Sequence, residues 1–181
     1  MIQLTRIGLR MLPSVLLAGF LTAAPPAPNN GDGGVLSTLI GSSPGQSVGG
    51  VPSAGAAWAI SKAHVTLNGG GHLNLAVHGL ILVSTGNAGP VSEVSVSLVC
   101  GGSGGTVVAT TGAVPLTTSG DAHIHEKITL PASCIAPVIL VRAAVVNGTT
   151  PAQPPFIAVS GFNSASTGKG SDEPDSAANQ F

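Results

Sequence analysis

The residues best suited to chemistry are the five histidines, His64, His72, His78, His123 and His125. His123 and His125 stand two apart, with Asp121 two residues before them. On a β-strand such residues share a face, with Cα atoms roughly 7 Å apart along it. Two imidazoles and a carboxylate at that spacing are a candidate copper or zinc site, since imidazole nitrogen and carboxylate oxygen are ordinary ligands of those ions. The candidate metal ligands are therefore His123, His125 and Asp121. His64, His72 and His78 form a second group on an earlier hairpin. Without any metal, exposed imidazoles still give a surface a charge that varies with pH.

Other patterns carry less. Residues 41–45 and 101–105 both match Gly-x-Ser-x-Gly. A nucleophile elbow needs a strand, a sharp turn and then a helix. The first match lies in a Pro/Gly/Ser-rich stretch and the second between two strands, so neither context fits. The run Gly101-Gly102-Ser103-Gly104-Gly105 has no Lys-Ser/Thr after it, unlike a phosphate-binding loop, and reads as a hairpin connection. There is no paired-acid arrangement and no nucleophile beside a base, so no catalytic residue is assigned. Cys100 and Cys134 are the only cysteines. An even count in an exported chain reads as a disulfide.

Two resemblances bear on these residues. His123-Ile124-His125-Glu126, followed by Cys134, resembles the copper-ligand segment of copper–zinc superoxide dismutases, exported β-sandwich proteins with a disulfide. In that family further ligands follow the His-x-His, whereas here no histidine follows His125. Gly70-Gly71-His72 resembles the family's bridging segment but precedes the His-x-His. No catalytic role is carried over. Over residues 56–162, the segments Leu98-Val99-Cys100-Gly101-Gly102, Leu130-Pro131-Ala132-Ser133-Cys134 and Ala136-Pro137-Val138 resemble small exported bacterial single-domain proteins of unassigned function. That resemblance implies export, a disulfide and one β domain, and no activity.

The elements that must position these residues read as strands. Residues 1–24 have the pattern of a secretory signal peptide: Arg6 and Arg10, then an apolar run over 11–24 that is too short to span a bilayer. Cleavage is expected near residue 24 or 25. Residues 25–55 have the Pro, Gly and Ser content of a linker, with one short edge strand over 35–40. Residues 163–181 are polar and read as a disordered C-terminal tail. Between them, 56–162 alternates in period two. Strands are expected near 57–67, 72–83, 91–100, 106–110, 113–117, 121–130, 137–146 and 155–162. In the first hairpin Ala63, Val65 and Leu67 alternate with polar residues, as do Leu73, Leu75 and Val77. A loop of three or five residues pairs Leu67 with Leu73, Val65 with Leu75 and Ala63 with Val77, keeping the apolar set together. Val94, Val96, Leu98 and Cys100 share a face, as do Ala122, Ile124, Ile128 and Leu130. Ile139, Val141, Ala143 and Val145 face in, with Arg142 outward. Pro154 and Pro155 place the last strand at an edge. The expected fold is all-β: a single antiparallel, Ig-like β-sandwich of seven or eight strands, or a small β-barrel.

Composition limits the function. Only 7% of the 181 residues are charged, six basic and seven acidic. That is too little basic charge for a nucleic-acid-binding stripe. The 43% hydrophobic content excludes a charge-rich disordered chain. The expectation is a secreted or envelope protein without a cofactor or a stable membrane anchor after signal cleavage. It acts as a non-catalytic structural or binding module. The alternative is copper or zinc binding through His123, His125 and Asp121.

Overall fold

The expected register of the first hairpin is the observed one: Leu67 pairs with Leu73, Val65 with Leu75 and Ala63 with Val77. The three glycines 69–71 form its loop. The Asn68 side chain accepts hydrogen bonds from the backbone N–H groups of Gly70 and His72, each at 3.0 Å. Gly71 closes the turn at φ +83°, in the left-handed region. A three-residue hairpin commonly ends on a residue in that conformation. A Cβ here would also run into the Ile128 carbonyl.

The computed structural model describes residues 34–161. The expected signal peptide, residues 25–33 of the expected linker and the expected tail from 163 on lie outside the described residues. In chain order the strands are β1 (Val35–Gly41), β2 (Ser47–Val48), β3 (Val51–Pro52), β4 (Trp58–Ala59), β5 (Lys62–Leu67), β6 (His72–His78) and β7 (Ile81–Leu82). There follow β8 (Val91–Cys100), β9 (Thr106–Thr110), β10 (Val114–Pro115), β11 (Ala122–Lys127), β12 (Val138–Val146) and β13 (Phe156–Ser160). One 3₁₀ turn, Gly102–Gly104, lies in the β8–β9 connection, where the second Gly-x-Ser-x-Gly match falls. Among the described residues no helix is long and apolar enough to cross a membrane.

The main sheet runs β10-β8-β12-β13-β1-β5-β6-β11, with β9 also pairing β8. Every strand pairing in it is antiparallel. Strand β1 joins its two halves. Val35–Thr38 pairs with β5, and Leu39–Gly41 pairs with β13. We call β1, β5, β6 and β11 sheet A, and β1, β13, β12, β8, β9 and β10 sheet B. A strand that switches partners in mid-course makes a corner, and here it folds the two sheets over one core. The result is sandwich-like, a large sheet curled into a half-barrel.

Residues 34–55 are thus not a linker: β1 is an interior strand, and β2 and β3 pair with each other beside sheet B. The Pro, Gly and Ser content that suggested a linker belongs to the turns around short strands. The expected edge position of the last strand is also corrected. β13 lies between β12 and β1. Pro154 and Pro155 stand just ahead of it, where they remove no N–H from the ladder.

The core lies between the sheets. Val65, Leu73, Leu75, Val77, Ala122 and Ile124 line it from sheet A, and Val94, Val96, Leu98, Ile139 and Val141 from sheet B. Sheet B is buried on its other side as well. Val51 of β3 packs there with Val99, Leu140 and Phe156. This second layer buries Ser95 and Ser97, which alternation places opposite the core. Among the described residues nothing packs over sheet A in the same way, and its outer face carries polar residues. The Cys100–Cys134 disulfide, with Cα atoms 5.1 Å apart, ties the end of β8 to the connection before β12.

Candidate functional site

The pairing of β1, β5, β6 and β11 lays out the outer face of sheet A as rows. One row runs Thr38, His64, Ala76, His123. The next runs Leu36, Thr66, Asn74, His125. Lys62 pairs with His78 at one end, and Lys127 with His72 at the other. All five histidines and both lysines are exposed. The period-two alternation that buries Val65, Leu75 and Ile124 is what turns His64, His72, His78, His123 and His125 outward together.

His78 is the best-connected member. Its ring meets that of His123 edge-on, with centroids 5.4 Å apart. Its Nδ1 lies 3.4 Å from Asp121 Oδ1. Asp121 is held from several sides. Ser119 Oγ donates to its Oδ2 at 2.7 Å, and the Gly79 N–H to its Oδ1 at 3.1 Å. The Ser119 hydroxyl and then the Gly79 N–H keep its carboxyl below the ordinary value of 3.8; burial opposes them, and His78 adds a lesser lowering effect.

The candidate metal set is not brought together. His123 turns to His78, while His125 lies opposite Asn74 in the next row and shares a groove wall with it and His72. Asp121 faces His78 at the end of the strand. Among the described residues no group of three or more His, Cys, Asp or Glu could hold a metal ion. Side-chain direction is the physical reason: His123 and Asp121 both turn to His78, away from His125.

Two grooves flank Leu36, which is 77% exposed on this face. One, of about 360 Å³, is lined by Leu36, Thr66, Asn74, His72 and His125 among others. The other, of about 560 Å³, is lined by Leu36, Ser37, Thr38, His64 and Gly161. The chain passes Thr38 as it leaves β13: the Gly161 N–H donates to the Thr38 carbonyl, and Thr38 Oγ1 donates to the Gly161 carbonyl at 2.7 Å.

Two charged residues have structural partners that alternation alone does not disclose. Glu126 has the parity of Ala122 and Ile124, the core side of β11. Its Oε2 accepts the Gly112 N–H at 3.0 Å, drawing the β9–β10 connection against β11. A lone charge on an apolar parity was the available signal. Arg142, expected outward, is partly covered; its Nε donates to the Pro154 carbonyl at 2.8 Å, and burial lowers its pKa.

The two grooves share Leu36 and have mixed walls, apolar at Leu36 and polar at Thr66, Asn74, Thr38 and the neighbouring histidines. Among the described residues the other charged groups of this face are Lys62, Lys127 and Asp121. Comparison with family models, with curated proteins and with solved structures gives no match.

Proposed function

We propose that this chain is an exported, non-catalytic binding module of the cell envelope or extracellular space, and that it binds through the outer face of sheet A. The observation that carries the reading is the gathering of all five histidines and both outward lysines on one exposed sheet face beside two grooves. The disulfide suits an oxidising compartment, as does the charged and apolar pattern of residues 1–24. The carboxylates of β11 and its approach support a binding rather than a chemical role. Asp121 and Glu126 both accept backbone N–H groups that fix turns.

The test uses chain recovered from outside the cytoplasm of a bacterial host. Its expected mass is that of a chain cut near residue 24 or 25, two hydrogens lighter than the reduced form. It is then passed over immobilised polyglutamate, with retention expected at about pH 5 and release at about pH 7.5. An uncut, reduced chain confined to the cytoplasm overturns the export reading. Absence of retention at both pH values overturns the face as the contact surface.

A further inference from the structure

Away from the histidine face, a pocket lies between the core side of sheet B and the short β4–β7 ladder. Its volume is about 350 Å³, toward the lower end of the roughly 300–1,000 Å³ of small-molecule sites. Val91, Ala143 and Ile157, buried core residues of sheet B, line it on one side. Trp58 and Leu82, which pair across the ladder, line it on the other. Gly55 and Pro90 in its wall are exposed, so the pocket opens to solvent. Its surface is almost wholly apolar, and among the described residues no charged side chain lines it.

Trp58 is the one polar-tipped side chain of that wall. It is the only tryptophan of the chain and is 6% exposed. Its backbone is fixed from β1: its N–H donates to the Ser42 carbonyl at 2.9 Å, and a Cβ on Gly41 would run into its carbonyl. The indole Nε1–H is left over. It is buried, and among the described residues it has no hydrogen-bond partner. Buried indole N–H groups usually find an acceptor, and a buried donor left unmade is costly. Ser42 Oγ, the other such atom among the described residues, is not part of the pocket wall. Carbonyls near the pocket are already engaged. Those of Phe156, Ala57 and Pro90 accept the N–H groups of Ala54, Val83 and Asn147, at 2.9, 3.0 and 2.8 Å. A buried water needs about two to four polar partners, more than an apolar wall with one indole donor offers. The acceptor that suits this donor is one carried on a molecule whose remainder is apolar.

We propose that this pocket binds a small, uncharged, largely apolar molecule with one hydrogen-bond acceptor, such as a ketone or ester carbonyl, and that the Trp58 Nε1–H donates to that acceptor. The site is separate from the outer face of sheet A and does not rest on the binding reading above. Burial of the ligand's apolar body against Leu82, Val91 and Ile157 supplies most of the affinity. The single donor sets orientation and selects among apolar molecules of similar shape. A free carboxylate is disfavoured, because no charged side chain in the wall offsets its loss of water.

The test uses NMR on the full chain. With one tryptophan in the sequence, the spectrum holds a single indole N–H signal, and it reports this wall. The protein is titrated with acetophenone and with ethylbenzene, which match in shape and differ in the carbonyl oxygen. The expected result is that acetophenone shifts the indole signal and the amides of Leu82, Val91 and Val146 saturably. The indole proton should move downfield with acetophenone and not with ethylbenzene. Trp58→Phe keeps an aromatic ring and removes the donor. It should weaken acetophenone roughly fivefold more than ethylbenzene, the effect of about one neutral hydrogen bond. Absence of a saturable shift at these residues, or shifts confined to Thr66 and Asn74 on the histidine face, overturns the pocket as a site. Equal weakening of both probes in the variant overturns the indole as the recognising donor, and the ligand class with it. If the variant does not fold, the wild-type indole signal decides: a similar movement with both probes overturns the proposal.

Discussion

Asp121 illustrates how single side chains on this face are committed. Its carboxyl is stabilised in the charged form by Ser119, by the Gly79 N–H and by His78. The folded state therefore binds a proton here less readily than the unfolded chain. A depressed acid contributes stability that is fully present above its unfolded value and is lost as pH falls through the folded one. Denaturant titrations below about pH 5 should show the loss, and Asp121→Asn should flatten that part of the profile. A profile of unchanged slope in the variant would show that the Ser119 and Gly79 contacts do not favour the charged form. Gly71 gives a second residue-level prediction. Its φ of +83° and the nearby Ile128 carbonyl leave no room for a side chain. Gly71→Ala should lower stability by about 1–3 kcal/mol, because both strain and a displaced carbonyl are imposed at once. Gly86→Ala is the control: its φ is also positive, at +69°, but no atom lies near its missing Cβ. The smaller loss expected there isolates the backbone strain.

At the scale of elements the disulfide and β1 decide whether the two sheets stay joined. Cys100 and Cys134 are 34 residues apart in sequence, and the chain-entropy relation assigns a loop of that length roughly 3–4 kcal/mol. Cys100→Ala with Cys134→Ala should lower the unfolding free energy by about that amount, read by urea denaturation. Strand β1 matters more, since it is the one strand paired to both sheets. A chain beginning at residue 56 should fail to give a cooperative thermal transition; a sharp transition would mean that β5 and β13 can join without it. Alternation disclosed most of this architecture. Residues 62–67 and 72–78 have one apolar parity each, so their register follows from burying it. It also turned the five histidines outward. It could not disclose β1 as an interior strand, because Val35–Gly41 is embedded in turn-forming residues and its partners come from both ends of the chain. Nor could it show that sheet B is covered on both sides, since Val51 reaches Val99 and Phe156 only after β2 and β3 have folded back. That His123, His125 and Asp121 do not converge has a related reason. Shared parity puts His123 and His125 on one face, but ring direction is set by cross-strand neighbours such as His78.

For the whole molecule the relevant quantity is how charge is distributed. Residues 56–162 carry Lys62, Lys127 and Arg142 against Glu93, Asp121 and Glu126, a balance of zero with histidines neutral. Proton uptake cannot add charge evenly, because every histidine lies on the outer face of sheet A. Acidification should therefore make the molecule polar, with sheet A positive and sheet B almost unchanged. Glu93, on β8 of sheet B, does not belong to that surface. Cation-exchange chromatography can read the asymmetry. The salt needed to elute the protein should rise between about pH 7.5 and about pH 5. His64→Gln with His123→Gln and His125→Gln should remove most of that rise while leaving the core residues beneath them in place. Glu93→Gln should raise retention at both pH values by a similar amount and leave the pH dependence intact. Equal pH dependence in wild type and the triple histidine variant would mean that retention is governed by overall charge or by carboxylate protonation. The outer face of sheet A would then have no special claim as the binding surface. A rise that falls in the triple histidine variant would tie the charge response to this face, on which all five histidines lie.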